Sequence, residues 1–191
     1  MTQRGWDAIV LAGGASRRMG GADKLAYDVG GRPMLERVVA AVSTADTVVV
    51  VGPERPLPVP VVWRREEPAG SGPAAAVAAA LPVVTAPVVV IVAGDQPLLS
   101  TPFVDTLVAA AGEGGAVAVD ASGEPQWLCS AWPIGLLRTA RLGAGGSMRA
   151  AFAELPWTPI AADGADVFDC DTTEDLRRAR TEWAQEGMAP P

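Results

Sequence analysis

The sequence predicts an α/β fold, a three-layer α/β/α arrangement around a mostly parallel, twisted, Rossmann-like sheet. Three observations carry that expectation. Short runs of β-branched and other apolar residues, Ala8–Leu11, Thr47–Val51, Val59–Trp63 and Val88–Val92, have the length of buried strands. Between them lie segments with helical spacing, such as Leu35, Val38, Val39 and Val42, and this alternation favours βαβ units with right-handed crossovers. A glycine-bearing loop leaves the first run at its carboxyl end, the edge where open α/β sheets bind ligands.

The 191 residues suffice for one domain with a proper core, and with 49% of them hydrophobic, disorder is not expected. A net charge of -7 argues against a nucleic-acid partner, which would need a broad basic face. Cys129 and Cys170 form no Cys-x-x-Cys pair and histidine is absent, so they read as buried or free thiols of a reducing cytoplasm. The opening residues, Met1 to Asp7, hold no apolar signal core, and export is not expected. Pro73 to Gly94 is apolar enough to raise the question of a membrane span. Two prolines divide it, however, into an alanine-rich, helix-like part and a β-branched, strand-like part.

In chain order, Pro33 marks the start of the first helix, and a proline-rich link, Gly52 to Pro58, joins the second and third strands. Glu66 to Pro73 forms a second glycine-bearing loop, with Pro73 in the first turn of the alanine-rich helix. The strand ending at Ala93 is followed by Gly94-Asp95-Gln96-Pro97, which puts a carboxylate at a central strand's carboxyl end. Thr101 reads as an N-cap with Pro102 behind it, and Val104, Leu107 and Val108 form the apolar stripe of that helix. Ala116–Val119 and Trp127–Trp132 read as a hairpin-like pair around Ser122-Gly123. Gly143 to Gly146 reads as a flexible link, and Ser147 as the cap of a helix from Met148 to Leu155. Trp157–Ile160 and Val167-Phe168 read as short strands. Thr172 and Asp175 stand near capping-box spacing for a closing helix, and residues 187–191 read as a frayed tail. One domain is expected, with an N-terminal part over residues 6–100 and a C-terminal part over residues 101–185.

The first loop, Leu11 to Lys24, combines glycine pairs at both ends with three cations, Arg17, Arg18 and Lys24. Gly13 and Gly14 clear the approach to backbone N–H groups, and the cations make a polyphosphate the natural guest. Neither G-x-x-x-x-G-K-[ST] nor G-x-G-x-x-G is present. The spelling Leu11-Ala12-Gly13-Gly14, Ser16-Arg17-Arg18-Met19-Gly20 and Asp23-Lys24 instead resembles the signature of nucleotidylyltransferases with a sugar-nucleotide-transferase fold. Among them it looks most like the molybdenum cofactor guanylyltransferases. Gly-Pro before the alanine-rich helix and Asp169-Cys170-Asp171-Thr172-Thr173-Glu174-Asp175-Leu176 are similar to further family features.

The resemblance implies GMP transfer from GTP to the phosphate of molybdenum-molybdopterin, with Mg²⁺ and release of pyrophosphate. It implies Arg18 and Lys24 on the β- and γ-phosphates, Gly13 and Gly14 as backbone donors, and Leu11 and Ala12 beside base or ribose. Asp95 is the expected metal ligand, because an ionised carboxylate at such a strand end needs a compensating cation. Glu66 and Glu67 are the acids available to accept from guanine N1–H and N2–H₂, and Glu67 and Gly72 join the expected nucleotide-binding set. Asp169 and Asp171 fall where relatives often use asparagine and are expected toward the acceptor, with a metal role for Asp171 equally open. Gln126 and Trp127 offer the pterin a hydrogen bond and a stacking face. Without histidine, a Ser-His-Asp triad and a histidine base are excluded, whereas an acceptor phosphate needs no base. Gly94-Asp95-Gln96-Pro97 also looks like the cytidylyltransferases of the same pathway, so CTP is the alternative nucleotide; another small phosphate acceptor and a non-catalytic nucleotide-binding regulator come after it. The expected setting is cytoplasmic, with small-molecule substrates, no membrane, and transient contacts with molybdoenzymes or other cofactor-pathway proteins.

Overall fold

A computed structural model describes residues 5–13 and 23–185. Gly14, Arg17, Arg18 and the tail 187–191 lie outside the described residues. The first strand, β1 (Trp6–Leu11), is buried at every position. Its side chains alternate between two cores, Ala8 and Val10 on one face, Ile9 and Leu11 on the other. A small antiparallel pair, β2 (Asp28–Val29) and β3 (Arg32–Pro33), precedes helix α1 (Met34–Ala41). Strands β4 (Thr47–Val51) and β5 (Val62–Arg64) follow, then α2 (Pro73–Ala80) and β6 (Val88–Ala93).

The second half contains α3 (Thr101–Ala110), β7 (Gly115–Val119), β8 (Pro125–Pro133), α4 (Ile134–Leu137), α5 (Met148–Phe152), β9 (Trp157–Ala161) and α6 (Thr173–Gln185). Seven strands form one sheet in the order β5-β4-β1-β6-β8-β7-β9. Only β8 runs antiparallel to its neighbours, so the sheet is mostly parallel as expected. The cause is local: Asp120 accepts from Ser122 N, Glu124 N and the Ser122 hydroxyl, closing a tight turn that sends β8 straight back beside β7. In the first core cluster α1 and α3 cover one face, and in the second α2, α4 and α5 cover the other, which completes three layers. Helix α6 closes a third cluster over β2 with Val29, Met34, Leu98 and Cys170.

Several boundaries differ from expectation. Strand β5 begins at Val62 rather than Val59, since the prolines at 56, 58 and 60 leave few N–H groups for a ladder. Ser100, not Thr101, caps α3, its hydroxyl accepting from Phe103 N at 3.3 Å, with Pro102 in the first turn. Val167-Phe168 lies in a turn rather than a strand, with Asp166 N donating to Asp163 O and Phe168 N to Ala165 O. The helix capped by Ser147 ends at Phe152 instead of Leu155. The link at 143–146 is tied down, Gly145 N donating to Ser71 O at 2.8 Å. The stretch 73–94 divides into α2 and β6, and no described helix is long and apolar enough to cross a membrane.

Candidate active site

Because β1 and β6 are parallel neighbours, the chain leaves both at the same edge, and Leu11, Ala12, Gly13 and Asp95 lie where they end. Ala12 N donates to Val51 O at 2.8 Å and Gly94 N to Leu11 O at 2.9 Å, so the exit of β1 is held from both sides. At Gly52 a side chain is excluded, since a Cβ there would stand 2.5 Å from the Ala12 carbonyl oxygen and 3.0 Å from Gly13 N. The backbone at Leu11–Gly13 is thereby set in place, with Leu11 and Ala12 buried and Gly13 exposed.

Downstream, Asp23 caps a short 3-10 turn, Lys24–Ala26, by accepting from Leu25 N at 3.2 Å. That turn directs Lys24 across the edge. Its Nζ lies 2.5 Å from Asp95 Oδ2 and 2.9 Å from Asp171 Oδ1. Burial disfavours the ammonium, but the hydrogen bonds and charges of Asp95 and Asp171 prevail and raise the Lys24 pKa above its ordinary 10.5. Lys24 is therefore a fixed cation at neutral pH, and two carboxylates distant from each other in the chain converge on it.

The closing segment is fastened to the same point. Cys170 N donates to the main-chain oxygen of Asp95 at 3.0 Å, and burial pushes the Cys170 thiol up to about 12, so it stays protonated. Asp169 is exposed as a residue. Even so, desolvation first, then the Asp95 charge, push its carboxyl up to about 6, opposed by a hydrogen bond from Gln96. Gln96 is 2% exposed, and its Oε1 also accepts from Ala93 N at 3.3 Å. Sequence reasoning passed over this buried amide, because nothing in Gly94-Asp95-Gln96-Pro97 shows that the chain near 169 returns beside it.

On the other flank, Glu66 is buried and Glu67 exposed. Glu66 Oε1 accepts from Gly70 N at 2.9 Å, while its Oε2, also buried, finds no partner among the described residues. A Cβ added to Gly13 would meet Glu66 Oε1 at 3.6 Å, which places this carboxylate beside the end of β1. Gly72 opens α2 with a φ of 95°, and Pro73 occupies its first turn. Gln126 Nε2 donates to Asp120 Oδ2 at 3.0 Å, so this amide serves the hairpin turn. Trp127 meets Trp157 edge-on, with ring centroids 5.3 Å apart. Among the described residues no three Cys, Asp or Glu side chains form a group able to hold a metal by themselves. Asp95 and Asp171 share the Lys24 cation.

Solved structures share this mostly parallel sheet and its fold. A nucleotidyl transferase from Methanothermobacter superposes with a TM-score of 0.79 at 21% identity, covering 95% of this chain and 98% of that one. Molybdopterin-guanine dinucleotide biosynthesis protein A from Archaeoglobus fulgidus gives 0.74 at 20% identity, covering 94% and 99%. The chain belongs to the MobA-like NTP transferase family, which matches residues 8–156. The molybdenum cofactor guanylyltransferase of Cereibacter sphaeroides is 34% identical over 194 residues, covering 91% of this chain and 94% of that protein.

Proposed function

We propose that this enzyme transfers GMP from GTP to the terminal phosphate of molybdenum-molybdopterin, releasing pyrophosphate. The observation that carries the reading is Lys24 bridging Asp95 and Asp171 at the edge where β1 and β6 end. An oxygen of the acceptor phosphate attacks the α-phosphorus of GTP, the bond from that phosphorus to the β-phosphate oxygen breaks, and pyrophosphate departs. The nucleophile is already anionic, so no histidine base is needed.

Catalysis then rests on holding two polyanions in line and neutralising the charge that develops on the leaving group. Lys24, with Arg18 from the signature loop, takes the β- and γ-phosphates, and Gly13 and Gly14 supply main-chain donors. Asp95 and Asp171 suit Mg²⁺, which is commonly held by one or two carboxylates and completes its shell with water and substrate phosphates. Bound there, the ion would polarise phosphate oxygens and screen their charge. Asp169 and the half-exposed Trp127 remain for the acceptor.

Guanine selection falls to Glu66 in this reading, in preference to Glu67. A buried carboxylate oxygen lacking a donor is costly, and the N1–H and N2–H₂ edge of guanine supplies donors that the corresponding edges of adenine and cytosine do not match. CTP is the second reading, favoured by the spelling Gly94-Asp95-Gln96-Pro97. Gln96, however, faces inward onto Ala93 and Asp169, which suits a supporting role better than reading a base. The reading includes a cytoplasmic location and transient delivery of product to molybdoenzymes or pathway partners. Pyrophosphate release with ATP, GTP, CTP and UTP in turn, each with purified molybdopterin, tests it. Release with GTP is expected; release with CTP alone would move the protein to the second reading, and binding without turnover would make it a regulator.

A further inference from the structure

Both stems of the signature loop rest on a single segment, residues 51–55, which runs from the last residue of β4. The upstream stem is held at Val51 and Gly52: Val51 O accepts from Ala12 N, and a Cβ at Gly52 would stand 2.5 Å from Ala12 O and 3.0 Å from Gly13 N. The downstream stem is held by Arg55. Its NH1 lies 2.5 Å from Asp23 Oδ2, and its Nε donates to Pro53 O at 3.3 Å. Asp23 uses its other oxygen to cap the turn that carries Lys24. The Arg55 side chain is only 17% exposed, so it is packed rather than loose in solvent.

We propose that Arg55 is a positioning residue for Lys24, acting through Asp23, so that segment 51–55 braces the loop at both ends. Lys24 must stand between Asp95 and Asp171, and its backbone belongs to a single turn with one side-chain cap. The cap itself is fixed only if Asp23 is held. Arg55 supplies that hold from a separate part of the fold, with its own guanidinium steadied on Pro53. The catalytic part of this inference rests on the nucleotidyl-transfer reading; the brace itself does not.

Arg55→Met and Arg55→Lys, Asp23→Asn and the double variant Arg55→Met/Asp23→Asn test it in two ways. In turnover with the nucleotide the unaltered enzyme uses best, Arg55→Met is expected to lower kcat about tenfold with KM within about twofold, the signature of a displaced charge-stabilising group. Arg55→Lys should recover most of the loss, and the double variant should be no slower than the slower single one. A raised KM with additive losses would place Arg55 on the nucleotide itself and overturn the proposal. In amide hydrogen exchange without substrate, Arg55→Met should speed exchange at Leu25 to Tyr27 while the sheet is unaffected; unchanged exchange there overturns the brace. Failure of the unaltered enzyme to release pyrophosphate with any nucleotide would overturn the transfer reading, and the exchange measurement would still decide the brace.

Discussion

Lys24 and Asp95, 71 positions apart in the chain, meet at 2.5 Å. The contact joins the loop after β1 to the loop after β6, and the parallel pairing of those strands is what brings their ends together. Asp95→Ala is expected to abolish turnover while the protein keeps its circular dichroism spectrum, because the carboxylate does not support the core. Lys24→Ala is expected to slow turnover by about 10²- to 10³-fold, the usual cost of removing one preorganised charge-stabilising group. Pyrophosphate release measures both, and near-normal rates in either variant would remove that residue from the mechanism.

Glu66 and Glu67 are neighbours with opposite surroundings, one buried beside Gly13 and the other in solvent. Glu66→Gln exchanges an acceptor for a donor where guanine N1–H would arrive, and preference for GTP over ATP is expected to fall about 10- to 100-fold. Glu67→Gln should leave that ratio unchanged. Competitive kinetics with the two nucleotides separates the two acids, and the reverse pattern would assign the base contact to Glu67.

The strands were legible because burial on both faces demands continuous β-branched runs. Lys24 and Asp95 each stood out by position alone. Their meeting with Asp171 did not, since nothing local states that the segment before α6 returns to β6; the tie is a backbone hydrogen bond from Cys170, which any residue but proline could make. Ser100 and Thr101 are hydroxyl residues one position apart, and only the backbone angles decide that Ser100 is the cap. Val167 and Phe168 have strand propensity, yet the turn from Asp163 to Phe168 overrides it. Arg55 and Gln96 were silent because Asp23 and Asp169, the side chains they meet, are distant in sequence.

Gln96 connects the end of β6 to Asp169 through one buried amide, accepting from Ala93 N and donating to the Asp169 carboxylate. Gln96→Leu leaves both groups without that partner, and the expected loss is about 1–3 kcal/mol in urea denaturation. Gln96→Glu keeps an acceptor for Ala93 but sets a second carboxylate against Asp169, so it should lose turnover more than its stability alone accounts for. Equal stability of Gln96→Leu and the unaltered protein would show that the amide does not hold this corner.

Thr172 and Asp175 begin α6 with a reciprocal cap: Asp175 N donates to Thr172 Oγ1 at 3.1 Å, and Thr172 N donates to Asp175 Oδ2 at 2.8 Å. The hydrogen bond from Thr172 holds the Asp175 carboxyl below its ordinary 3.8, with a backbone contribution from Asp171 N as well. A group with a depressed folded pKa lends stability that is complete above its unfolded pKa and fades as pH falls through the folded value. The contribution of this cap is therefore expected to be whole above pH of about 4 and to disappear below it, modestly, because the carboxylate is solvent-exposed. Thr172→Ala should cost about 0.5–2 kcal/mol at neutral pH. Asp171 sits one residue before the cap, so Thr172→Ala should also loosen the carboxylate that meets Lys24, and turnover should fall along with the melting temperature. A variant that melts early but turns over normally would show that Asp171 keeps its place without this cap.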